Sequence, residues 1–135
     1  MELEERKQIY DKATKLYGHQ KQLFQLVEEC AEVIKEVNKL NRTVNLREPE
    51  IIQHVFNDKY GNKLDNLCEE LADLEIMIEQ TKNMSDSGLI RSKIDFHKNI
   101  KLERFKESLE NYEKLFNEYD TEPVIIDYIS LITES

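Results

Sequence analysis

At 135 residues with 35% charged side chains, only 3 Gly and 2 Pro, the chain suits one helix-rich domain with a core of its own. Its formal net charge of -9 excludes a duplex nucleic-acid binder, which needs a basic face to displace counterions. No apolar run approaches the roughly 20 residues that cross a bilayer, and the opening Met1-Glu-Leu-Glu-Glu5 is acidic where a secretory signal is basic. The expectation is a single all-α domain over 1–135, soluble and cytoplasmic, with no membrane and no nucleic-acid partner.

Residues 2–17 read as a first helix with a modest apolar side of Leu3, Ile9, Ala13, Leu16 and Tyr17, stopped by Gly18. A second helix occupies about 19–40, and its stripe of Leu23, Leu26, Val27, Cys30, Ile34 and Val37 has the spacing of a helix packed on one side. From Asn41 to Gly61 the periodicity breaks. Asn41 to Pro49 reads as loop, and 49–56 as a short helix with Pro49 at its first position, so the whole segment has the character of an insertion or lid. Another long helix spans about 62–83, with Leu64, Leu67, Cys68, Leu71, Leu74 and Ile78 as its buried stripe.

Met84-Ser-Asp-Ser-Gly88 breaks the chain again, with Ser87 placed to cap the last helix. That helix, over about 89–119, carries Leu102, Phe105, Leu109, Tyr112, Phe116 and Tyr119 at alternating steps of three and four. This is the 3.5-residue period of a coiled coil, so the helix should lie along a partner of similar length in an oligomer interface. The tail over 120–135 is apolar enough to dock somewhere. Cys30 and Cys68 fall on apolar helix sides without a partner at zinc-ligand spacing, so both are expected as buried thiols.

The chemistry-bearing residues are acids. Glu29 and Glu32 in the second helix, and Glu70 and Asp73 in the next long one, stand three apart, which puts each pair on one face. On a helical wheel Glu29, Glu32 and Glu36 lie opposite Leu23, Val27 and Ile34; taken alone, that is a solvated face. Against it, the helix over 62–83 is apolar on more than one flank, through Met77 on one side and Ala72 and Ile76 on another, and Phe24 and Ala31 widen the stripe of the second helix. If neighbours surround both helices, the four acids converge in a cleft where unpaired negative charge is expensive and a hard cation relieves it. Other chemistries are poorly served. None of His19, His54 and His97 has a Glu three residues before it, as a di-iron bundle requires, and there is no Gly-rich phosphate loop. Lys98, Lys101 and Arg104 share a face of the last helix, where pairing with Glu103 and Glu107 is the plain reading.

Glu28-Glu29-x-x-Glu32 with Glu70-x-x-Asp73 downstream resembles the EExxE…ExxD signature of the MazG-like, all-α nucleoside triphosphate pyrophosphohydrolases. The flanking Tyr17-Gly-His-x-x-Gln22-x-x-Gln25 and Asn66-Leu-Cys-Glu-Glu-Leu-Ala-Asp73 are similar to the compact versions of phages and Gram-positive bacteria, and Lys101-Leu-Glu-Arg104 resembles a basic Lys-x-x-Arg element present in many members. The resemblance covers about 10–110. It implies a four-helix core that dimerises or forms a dimer of dimers, with Glu29, Glu32, Glu70 and Asp73 holding Mg2+, for which Mn2+ could substitute. Glu28 or Glu29 would act as base, and Lys101 and Arg104 would steady the phosphates. The implied reaction is attack of water on the α-phosphorus of a nucleoside triphosphate, more specifically a deoxynucleoside one, releasing monophosphate and pyrophosphate. The alternatives are a dUTP or phosphoribosyl-ATP pyrophosphatase of the same fold, or a non-catalytic helical dimer that offers an acidic face to a protein. The gap between Glu32 and Glu70 is longer than usual for that family, the extra length being 41–61, whose His54, Phe56 and Tyr60 could stack on a base or simply belong to a surface insertion.

Overall fold

The computed structural model describes residues 1–43 and 61–119. The short helix expected over 49–56, most of the 41–61 insertion and the tail lie outside the described residues. Among the described residues four α-helices are arranged in chain order: α1 over Leu3–Tyr17, α2 over His19–Thr43, α3 over Gly61–Lys82 and α4 over Leu89–Tyr119. The all-α expectation holds, with no strand among the described residues, and no described helix is long and apolar enough to cross a membrane. The α2 helix runs three residues beyond its expected end at Leu40. The chain divides into two compact units, Met1–Gly88 with α1 to α3, and Leu89–Ser135 with α4.

In the first unit α1 begins with Glu4 and Glu5 in its first turn and ends with Lys15 in its last, charges that complement the helix dipole. Gly18 stops it at φ 82°, its N–H donating to the Thr14 carbonyl at 2.9 Å. A side chain at that left-handed position is strained, so glycine permits α2 to restart at once in a new direction.

The long packing is between α2 and α3. Glu29 meets Glu70 and Asp73 midway, while Thr14 reaches Gln22 and Tyr10 reaches Glu79 at one end, so α2 and α3 run antiparallel. The α1 helix is attached to that end by polar groups. Tyr10 Oη donates to Glu79 Oε2 at 2.9 Å, Asn83 Nδ2 to Asp11 Oδ1 at 2.8 Å and Thr14 Oγ1 to Gln22 Oε1 at 3.2 Å, with Arg6 3.6 Å from Glu79. Of α1's expected apolar side, Leu3, Ile9, Leu16 and Tyr17 remain exposed; Tyr10, one position from Ile9, is the residue that buries.

Burial first, and the bond to Glu79 second, hold the Tyr10 hydroxyl above its usual pKa. Because the folded value is the higher one, the proton favours the fold below the ordinary tyrosine range, and that contribution fades as pH rises through the raised value. Tyr10→Phe should lower stability by about 0.5–1.5 kcal/mol, the net worth of one hydrogen bond. A urea titration at neutral pH reads this as a lower midpoint at unchanged slope; an unchanged midpoint would show that the contact contributes nothing.

Candidate metal centre

The side of α2 that meets α3 shares only Leu26 with its apolar stripe. The covered line is Gln22, Leu26, Glu29, Val33, Glu36 and Leu40, again at steps of four and three, with Glu32 half-buried at its edge. Each residue of that line lies one residue before a member of the stripe or its continuation, so the buried line is turned by about 100° from it. Leu23, Val27, Ile34 and Val37 are exposed, as are Cys30 and Cys68, so the expectation of buried thiols is corrected. On α3 the covered line is Leu64, Leu67, Glu70, Leu74, Met77 and Thr81. Leu71, Ile78 and Cys68, expected inside, stay outside because the helix is rotated toward Met77. The solvated-face reading of the α2 acids is overturned with it: Glu36 is 7% exposed, and Glu29 and Glu32 are half-buried.

One carboxylate oxygen from each of Glu29, Glu70 and Asp73 lies within 4.8 Å of the others. Glu29 is set between Leu26 and Val33 along its line, and Glu70 between Leu67 and Leu74. Asp73 is exposed, so the cluster has an open side. The acids along the seam are unequally compensated. Gln25 Nε2 donates to Glu29, Lys35 stands 3.5 Å from Glu32, and Lys39 approaches Glu36 to 2.9 Å. No described cation pairs with Glu70 or Asp73. Partial burial pushes the Glu70 carboxyl above the usual carboxylate range, and the nearby charges of Glu32, Asp73, Glu29 and Glu69 add to it in that order.

An all-oxygen donor set with excess negative charge and an open side fits a hard divalent cation, which takes carboxylates and keeps waters. Glu32 is close enough to act on Glu70 electrostatically but stands outside the three-oxygen group. Glu28 is exposed beside it. Lys101 and Arg104 are exposed on α4, in the other unit. Comparison with protein-family models, curated proteins and solved structures finds no match.

Three residues of the seam and its end carry no role in the sequence-derived site: Gln22 and Gln80, each under a tenth exposed, and Glu79, which receives Tyr10 and Arg6. For Gln22 a signal exists in the sequence. It lies seven residues before Glu29, two full turns along the same line.

With the Glu70 carboxyl raised, the unfolded chain loses this proton first as pH climbs. The cation-free fold therefore loses stability between the ordinary carboxylate range and the raised value, and stays penalised above it. At pH 7 without divalent cation, Glu70→Gln should raise the melting temperature, since it removes one of the crowded charges. Saturating Mg2+ or Mn2+ at about 100 Kd should stabilise the unsubstituted protein by about 2.7 kcal/mol and the variant far less. A lower melting temperature for the cation-free variant would show that Glu70 is already compensated.

Proposed function

We propose that this protein is a Mg2+-dependent nucleoside triphosphate pyrophosphohydrolase of MazG-like type, with deoxynucleoside triphosphates as the favoured substrate class. The observation that carries this reading is the meeting of Glu29 with Glu70 and Asp73 across the α2–α3 packing, because it joins two halves of a motif that lie far apart in the sequence, one ending at Glu32 and the other starting at Glu70.

Glu29, Glu70 and Asp73, with Glu32 beside them, are the residues that would hold the metal. When bound, Mg2+ supplies neutralisation of the triphosphate and a coordinated water of lowered pKa. Glu28 is exposed next to this group, and Glu29 keeps one oxygen on Gln25. A carboxylate in either position has free lone pairs to accept the proton of an attacking water. Gln25 orients the Glu29 carboxylate, and Leu26, Val33, Leu67 and Leu74 limit water behind it. Lys101 and Arg104 take their phosphate role from the motif resemblance alone.

The same reading includes assembly into two or four copies and a four-helix core. Its support is the apolar side left outside: Phe24 is 61% exposed, Val27 64% and Ile34 61%. A line of large apolar side chains of this kind on one helix is characteristic of a surface that another chain covers. The same feature would serve the competing reading, a non-catalytic helical dimer.

Incubation of the purified protein with a panel of canonical and modified nucleoside triphosphates, with and without Mg2+, separates the two. Metal-dependent release of monophosphate and pyrophosphate is expected. Glu32→Gln should reduce turnover at least about 100-fold, of the order lost when a catalytic electrostatic group is removed, with an unchanged helical circular dichroism spectrum. A fully active Glu32→Gln protein would remove Glu32 from the site, and no turnover on any substrate by folded protein whose melting temperature Mg2+ and Mn2+ fail to raise would favour the non-catalytic dimer.

A further inference from the structure

Gln22 is a buried polar residue that the metal centre leaves without a task. It is only 4% exposed, and its amide is half satisfied: Thr14 Oγ1 donates to Oε1 at 3.2 Å, whereas no described group accepts from the buried Nε2. A buried amide N–H without an acceptor is costly, and an apolar side chain of the same shape would avoid the cost. The donor therefore calls for an acceptor that the described chain does not supply.

Its position says what kind of acceptor. Gln22 lies on the same covered line of α2 as Glu29, seven residues earlier. That is about 10 Å along the axis, and both side chains lean toward the helix N-terminus, so their ends keep this spacing. Leu26 on α2, and Leu74 and Met77 on α3, occupy the interval. Convergent acids, an apolar stretch with a polarisable thioether and then a lone donor follow the order of a nucleotide: metal-bound phosphate, ring, and a polar group on the far edge of the base. At that edge a pyrimidine carries O4 or an N4 amino group, and a purine O6 or an N6 amino group. Because Thr14 occupies Oε1, the Gln22 amide offers hydrogens there, which a carbonyl accepts and an amino group does not.

The cover over Gln22 is α1, and its hold on this end is polar: Tyr10 and Arg6 on Glu79, and Asp11 on Asn83, beside Thr14 itself. Contacts of this kind exchange for water at small net cost. The helix can give way at the uncrowded Gly18 joint to admit a ring.

We propose that Gln22 Nε2 reads the base of the substrate by donating to the carbonyl at its far edge, with Leu26 and Met77 against the ring, so that triphosphates of keto bases are taken over those of amino bases. This inference rests on the reading of the metal centre as a nucleoside triphosphate site, and adds the base class to it.

Two pairs of triphosphates differ at that edge, dUTP against dCTP and dITP against dATP. With Mg2+, kcat/KM for the keto member of whichever pair is turned over should exceed that of the amino member at least about tenfold, as when a buried polar group is left unpaired by the wrong substrate. Gln22→Met should bring the two within about threefold. Thr14→Val frees Oε1, so that the amide can turn round, and should narrow the ratio with the donor still present. A measurement without substrate or metal separates this role from a structural one. Since Gln22→Met removes an unpaired buried donor, its melting temperature should be no lower than that of the unsubstituted protein. Turnover with no keto preference, or a preference that survives either substitution, would overturn the inference and leave the pyrophosphohydrolase reading standing. A markedly lower melting temperature for Gln22→Met would also overturn it, by making the amide part of the packing. No turnover of any triphosphate by folded protein would remove both.

Discussion

The packing of α2 on α3 is constrained by carboxylates placed where apolar residues would pack more cheaply. Glu29 and Glu70 each interrupt a line that otherwise reads Leu, Val or Met, and Glu36 is buried with Lys39 as its counter-charge. Half-buried charge of one sign is costly unless something opposite in sign shares the space. Glu36 and Glu32 have lysines one turn away, and Glu29 has an amide. Glu70 has none of these: its carboxyl is raised first by partial burial and then by the four acids acting on it. Among these acids Glu70 is the one whose charge the described neighbours compensate least.

The surroundings of the seam reflect the same choice. Because α2 turns its mixed polar and apolar line toward α3, its more hydrophobic line faces outward. Few hydrophobic residues are buried among those described: Tyr10, Leu40 and Met77. The α1 helix contributes little apolar cover and is held by hydrogen bonds to Glu79, Asn83 and Gln22. A unit with so thin a core and so wide an apolar exterior has apolar surface to spare for a partner, which is the link between the acidic centre and the proposed assembly. The acids occupy the intrachain packing, and the more hydrophobic line of α2 is left exposed.

Much of this is legible in the sequence. Helix positions come from the apolar period and from Gly18 and Gly88, and the two acidic pairs come from three-residue spacing. The choice of face does not. On α2 two lines at coiled-coil spacing lie side by side, one starting at Gln22 and the other at Leu23, and the second is the more hydrophobic. Hydrophobicity ranks faces by their cost in water, not by which neighbour covers them, so it selects the line that a single chain leaves outside. Cys30 and Cys68 are misplaced by the same rule. The signal pointing the other way is Met77 on the flank of Glu70 and Asp73, a buried residue at 7% exposure on the acid-bearing side.

The proposed function turns on a cation held between the convergent oxygens of Glu29, Glu70 and Asp73. Growing crystals in Mn2+ and collecting data at the manganese absorption edge tests this most directly. An anomalous peak between these three carboxylates is the predicted result, and its loss in crystals of Glu70→Gln should accompany it. A map with no peak at the α2–α3 seam under saturating Mn2+ would contradict the assignment.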